Sequence, residues 1–320
     1  EMFLDSAALR SSVVSHAKML GYEVSSARAP QASLNIIVTT NTDTLTMPAG
    51  TKFTASIGSD SYSFVTISDI TGSGSAGQIV FSETPVYEGT YITATYTVDT
   101  SDISQRFLIT DNRADINTLT VSVQNSITDT TTATYTKATD ITQLVNTSTV
   151  YFCQEVEAGK FEIYFGDGVV SKALVDGNIV TLKYVVTNKT EANGVSSFTA
   201  PSSIGGETAV SVQTISRATG GAEPETINSI KLKAPLDYAS QGRAVTTEDY
   251  KVFVKKLFPN TLAVSLWGGE DGSFDPSLGV LSTPEYGKVF ISIKSTTGLD
   301  LSSVQKANLV SALAPYKVSS

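Results

Sequence analysis

The chain has 320 residues, 41% of them hydrophobic, and a formal charge of −9 from 31 acidic and 22 basic residues. That length allows about two domains with sizeable cores, and the acidic balance argues against nucleic acid or an anionic membrane as partner. A single cysteine, Cys153, excludes an internal disulfide and fits a reducing compartment, and no apolar run reaches the roughly 18 residues that span a bilayer.

No signal-peptide pattern opens the chain. It starts at Glu1 directly before a helix and stops just after another, which reads as a C-terminal fragment of a longer protein. Residues 1–30 are expected to form a helix and an extended linker. Asp5 can cap that helix, Ala8, Leu9, Val13, Ala17 and Leu20 give it an apolar side, and Gly21 stops it. Met2 and Met19 read as core filler.

Residues 31–114 form the first expected β-rich domain. Segments 34–38, 52–54, 62–65, 79–81 and 91–98 are rich in β-branched and aromatic residues. A turn is expected at 47–51 and a flexible loop at 72–77. Short strands between turn signals suggest a small sandwich or barrel. Residues 101–114 read as a short helix and link.

Residues 115–219 form the second. Leu119, Val121 and Val123 alternate, 128–139 is a polar loop or edge, and strands follow at 149–154, 160–165, 179–186 and 210–215. Asp167-Gly168 and Asp176-Gly177 lie between β runs and signal hairpins.

Residues 220–320 hold a helical hairpin and a small α/β layer. Pro224 suits a first helical turn, Ile227 and Ile230 share a face, and Pro235 ends that helix. Gln241, Gly242 and Arg243 make a turn. Thr246 can cap the second helix, with Asp249 in the capping-box position and Val245 placed to staple Tyr250. Tyr250, Phe253, Val254, Leu257 and Phe258 form one apolar stripe, which Pro259 ends. Leu262, Val264 and Leu266 alternate as a half-buried strand, and a second strand covers 288–293. Asp300 caps a last helix through Val304, Ala307, Val310, Leu313 and Ala314, ended by Pro315. The fold class is α+β, mostly β, in several domains.

Chemistry is sparse. The one histidine, His16, lies on the first helix, so a nucleophile–histidine pair would have to use it. Cys153 sits in a strand pattern without a second zinc ligand. Glu270, Asp271 and Asp275 cluster in a glycine-rich loop without EF-hand spacing. Asp167 and Asp176 have the residue type of a glycosidase pair, but glycine-flanked turns favour Asp for backbone reasons. The sequence names no catalytic, cofactor-binding or metal-binding residue.

Surfaces carry more signal. From Lys231 to Lys256 six basic residues face three acidic ones, either a solvated helix face or a docking surface for an acidic partner. Trp267 is either core packing or an interface anchor, and Arg243 either a solvated turn residue or a fork donor to a carboxylate. The expected partner interface comprises Arg243, Tyr250, Phe253, Lys255 and Trp267.

The run APLDYASQGRAVTTEDYKVFVKKLFPN, followed by a strand and WGGED, resembles the baseplate J-like family of contractile phage tails, nearest its wedge components. FLDSAALRSSVVSHAKMLGYEVSSARAPQASL and FEIYFGDGVVSKALVDGNIVTLKYVVT are similar to that family's N-terminal helix with linker and its middle strand region. The resemblance implies a virion structural protein, assembled in the host cytoplasm, without an enzymatic signature or cofactor. It would associate with itself as a dimer or ring and bind other wedge proteins, the sheath-initiating protein and the central hub, with neither nucleic acid nor membrane as partner. The ring would rearrange on contraction. The alternative from the residues alone is a β-rich adhesin or carbohydrate-binding tail module, and behind it a polysaccharide-degrading enzyme.

Overall fold

The computed structural model describes residues 3–317 apart from 76, 139–143, 158, 241–242, 259–260, 270–286, 296–300 and 302. It is α+β and mostly β, with four α-helices among the described residues. The chain divides into two compact units. One comprises Leu9–Val14 and Glu23–Glu225, the other Glu1–Ala8, Ser15–Tyr22 and Thr226–Ser320.

Helix α1 (Arg10–Met19) buries Val13, Val14 and Ala17. Gly21 ends it as expected. Its φ is +76°, its N–H reaches Lys18 O at 2.9 Å, and Tyr22 N–H reaches Ala17 O at 3.0 Å, the paired bonds of a Schellman cap. The start differs. Asp5 lies in a turn ahead of the helix, and both Leu9 and Met19 are exposed. Met19 falls two residues after Ala17, which turns it about 200° away from the buried side.

The first unit contains β1 (Gln31–Thr39), β2 (Thr44–Met47), β3 (Lys52–Ile57), β4 (Asp60–Val65), β5 (Ile70–Ser75), β6 (Gln78–Glu88), β7 (Thr90–Thr97) and β8 (Phe107–Ile109). It continues with β9 (Ala114–Gln124), β10 (Thr132–Lys137), β11 (Val150–Glu155), β12 (Phe161–Phe165), β13 (Ile179–Val186), β14 (Phe198–Thr199) and β15 (Val210–Thr219). They form two sheets. The first runs β14-β3-β4-β6-β1-β15, with β5 pairing both β6 and β2. Its core is the alternating inward set of Leu34, Ile36 and Val38 against Phe53, Phe64, Ile79 and Phe81. Phe198 meets Phe64 edge-on at 4.9 Å.

Residues 72–75 are strand rather than loop. A Cβ on Gly72 would lie 2.6 Å from Ile79 Cγ2, and one on Gly74 2.6 Å from the Thr42 carbonyl. These glycines serve close approach, not flexibility. Residue 76 lies outside the described residues.

The second sheet runs β7-β13-β9-β10-β11-β12-β8. Its two edges meet. Tyr96 donates its hydroxyl to Leu108 O at 2.7 Å, and its ring lies 5.6 Å from that of Phe107. Ile109, Val121, Ile163, Val180 and Leu182 fill the interior.

Three expectations fail in this sheet. Residues 101–105 are turns, not helix, because Asp99 and Asp102 accept the Ser101 and Ser104 N–H groups at 2.9 Å and satisfy the backbone locally. Thr132–Lys137 is a strand flanked by β9 and β11, with Tyr135 buried. The Asp-Gly turns close no hairpin, since β12 pairs with β11 and β8 while β13 pairs with β7 and β9.

Buried polar side chains join the two sheets. Glu88, at the end of β6, accepts Thr187 Oγ1 at 2.7 Å, Asn188 N at 2.9 Å and Asn188 Nδ2 at 2.8 Å, all just beyond β13. Asp115 on β9 accepts Ala29 N at 2.9 Å, and its burial raises its carboxyl pKa above the usual range.

Candidate assembly surface

The second unit is built around α2 (Ile227–Ser240), α3 (Thr247–Leu257), β16 (Thr261–Gly268), β17 (Val289–Ser295) and α4 (Ser303–Leu313). α3 starts where its residues dictate. Asp249 N–H reaches Thr246 Oγ1 at 3.2 Å, and Thr246 N–H reaches Asp249 Oδ2 at 2.8 Å, which closes the capping box. Hydrogen bonding from the Thr246 backbone holds the Asp249 carboxyl below its ordinary range. The expected staple is absent because Val245 is exposed.

α3 lays Tyr250, Phe253 and Val254 against Val264 and Leu266 of β16, Ile291 and Ile293 of β17, and Leu309 and Leu313 of α4. Phe253 stacks on Tyr316 at 4.3 Å. Leu262 is exposed, because a register irregularity between Thr261 and Ala263 breaks its alternation with Val264. Val310 on α4 is exposed as well, and Leu309 packs inward instead.

α2 departs most from expectation. It begins at Ile227, not Pro224, with Thr226 accepting Ser229 N–H through Oγ1 at 3.3 Å. It continues through Pro235. The pyrrolidine ring lies on the exposed side, where water can take up the Lys231 carbonyl left without a donor. Ile230 and Ala234 are buried, while Leu232 and Leu236 face outward one turn apart. Reading Pro235 as the terminus hid that outward face.

The five expected interface residues fall into two groups. Tyr250 and Phe253 are core. Arg243 and Lys255 are exposed, and Arg243 is held at the surface by the neighbouring Ala244 N–H on Tyr316 O at 2.7 Å. Trp267 lies on the ribbon face opposite Val264 and Leu266. It pairs with Phe290, and their rings stack at 6.0 Å. Its buried Nε1 has no hydrogen-bond partner among the described residues.

In the basic run, Lys251 pairs with Glu248 at 2.6 Å, Lys256 with Asp237 at 2.9 Å, and Lys231 donates to Asp5 O at 2.8 Å. Gln241, Gly242, Pro259, Glu270, Asp271, Asp275, Asp300 and Met2 lie outside the described residues.

The candidate chemical groups sit in structural settings. Asp167 accepts Val169 and Val170 N–H at 2.9 and 3.2 Å, which lowers its pKa, the opposite of what a general acid requires. Asp176 accepts Thr100 N–H at 3.1 Å. Burial pushes the Cys153 thiol up to about 12. Among the described residues no cluster of three or more His, Cys, Asp or Glu could hold a metal ion.

Two domain families match. Residues 94–195 match the bacteriophage baseplate wedge protein gp6, third domain. Residues 246–320 match the baseplate structural protein gp6, C-terminal domain I. The baseplate wedge protein gp6 of Enterobacteria phage T4 is 25% identical over 346 aligned positions, covering 99% of this chain and 49% of its own length. The chain thus spans about half the length of the curated relative it matches. A chain of the anti-feeding prophage baseplate, solved by cryo-EM with six-fold symmetrisation, is 13% identical over 98% of this chain and 60% of its own, with a TM-score of 0.28. A likeness at that score carries no argument about fold. Two domains of one protein match in succession and a relative aligns across 99% of the sequence, and together these similarities support a phage baseplate wedge protein.

Proposed function

We propose that the chain is a structural component of the baseplate wedge in a contractile phage tail, located in the virion and without catalytic activity. The observation that carries this reading is the succession of two wedge-protein domains along one chain. The chain associates with copies of itself and with neighbouring wedge proteins, forming a ring around the hub that rearranges on contraction. Rearrangement needs two packings of similar free energy, biased by partner contacts. The interface of the second unit draws on the exposed Arg243 and Lys255, in a segment anchored to the core by Tyr250 and Phe253, and on Trp267 at the opposite face of the ribbon. A guanidinium fork and an indole are the side chains that contribute most at such surfaces. Immunogold electron microscopy of isolated tails, with antibody against this chain, tests the location. Label at the baseplate is expected; label confined to sheath, tube or fibres would overturn the reading.

A further inference from the structure

One end of the second sheet carries aliphatic side chains set among carboxylates. β7 ends opposite the start of β13, which lies opposite the end of β9 and hence the start of β10. Residues 98–106 after β7, 125–131 between β9 and β10, and 175–178 before β13 therefore gather at that end. Three hydrogen bonds tie them together: Gly177 N–H on Val98 O at 2.9 Å, Thr100 N–H on Asp176 Oδ1 at 3.1 Å, and Asn178 Nδ2 on Asn125 O at 2.8 Å. Each of the three turns an aliphatic side chain to water. Ile103 is fully exposed, Ile127 is 84% exposed and Val175 62%. Single exposed aliphatics are ordinary on a protein surface, whereas several on adjoining loops mark a contact site.

The chemistry of the surrounding residues narrows what that site can contact. The three segments contain Asp99, Asp102, Asp129 and Asp176, with Arg106 as their one cation, so their net charge is −3. Arg106 is itself committed, donating to both carboxylate oxygens of Glu162 at 2.7 Å. Nucleic acid and anionic lipid are repelled by such a surface. The segments contain no aromatic residue, which leaves no ring on which a sugar could stack. Among the described residues no cluster of three or more His, Cys, Asp or Glu could hold a metal ion. What fits is a polypeptide of opposite charge.

We propose that this loop end docks a basic segment of a different baseplate protein. That segment sets apolar side chains against Ile103, Ile127 and Val175 and places lysine or arginine among the four aspartates. The inference rests on the wedge reading above and adds to it one surface and the chemistry of its partner. Charge complementarity decides the occupant. A basic segment is steered to this end and held in register by the carboxylates, whereas the same loop end of a second copy carries the same charge and is repelled. Asp99, Asp102 and Asp129 accept the N–H groups of Ser101, Ser104 and Thr131 at 2.9, 2.9 and 3.0 Å, so the loops are ordered before the partner arrives.

Photo-crosslinking in assembled tails tests it. p-Benzoylphenylalanine is placed at Ile103, Ile127 or Val175, one position at a time. Purified tails are irradiated, and the adducts are identified by mass spectrometry. The three side chains are exposed, so the melting temperature of each substituted chain should stay at the wild-type value. Where the bulky probe stops tail assembly, Ile103→Cys with a short cysteine–lysine crosslinker gives a second readout, because the native thiol, Cys153, is held unreactive by burial. All positions are expected to join one protein other than this chain, at a segment where lysine and arginine outnumber aspartate and glutamate. Adducts with another copy of this chain, adducts with an acidic or neutral segment, or no adduct in tails that contain the chain would overturn the inference and leave the wedge reading standing. Tails that lack this chain altogether would sink both.

Discussion

Phe253 and Glu88 are both fully buried, and each shows what a single residue contributes. Phe253 fills the space between α3, the β16–β17 ribbon and Tyr316, so Phe253→Ala should destabilise the second unit by about 3–5 kcal/mol through cavity formation, read from denaturant unfolding. Glu88 satisfies three donors that close the joint between the sheets. Glu88→Ala leaves those donors unpaired and should lower stability by about 2–4 kcal/mol in the same measurement. Cys153, with its thiol pushed up to about 12 by burial, should resist a thiol reagent in the native protein at pH 8 and react on unfolding. Asp249 supplies the pH dependence of α3. Its folded pKa is depressed, so its stabilisation is present above the ordinary carboxylate range and is lost as pH falls through the lowered value. Asp249→Ala should remove that acid-side loss, along with a few tenths to about 1 kcal/mol at neutral pH.

At the scale of elements, α2 keeps a proline that a helix interior normally rejects. Pro235→Ala restores a donor to the Lys231 carbonyl and should raise the melting temperature, with a gain of up to about 3 kcal/mol. What was legible in the sequence follows the range of the interaction. The Thr246–Asp249 capping box and the stripe of Tyr250, Phe253 and Val254 depend on residues within two helical turns, and the structure forms them where the spacing puts them. Pro235 has a local steric effect too, yet its outcome depends on which side of the helix meets water, and that is set by tertiary packing. The Asp-Gly turns and the glycines of β5 failed for a related reason. Strand partners are distant in sequence, as with Gln31 opposite Thr219, and Gly72 is explained only by Ile79 across the ladder. The candidate surface shows the same division. Trp267 was noticed for its residue type, whereas Leu232 and Leu236 emerge only once α2 is seen to pass through Pro235.

At the scale of the whole molecule, the two wedge-protein domain matches and the basic run at 231–256 support the proposal of an assembling chain. Attraction between such a basic run and an acidic partner acts on association rate and is screened by salt, so association through it should weaken as ionic strength rises. The most direct test of the central claim is sedimentation equilibrium of the wild-type chain over a concentration series. A mass that rises with concentration beyond a single chain is the predicted result. A constant monomer mass up to the highest soluble concentration would contradict it.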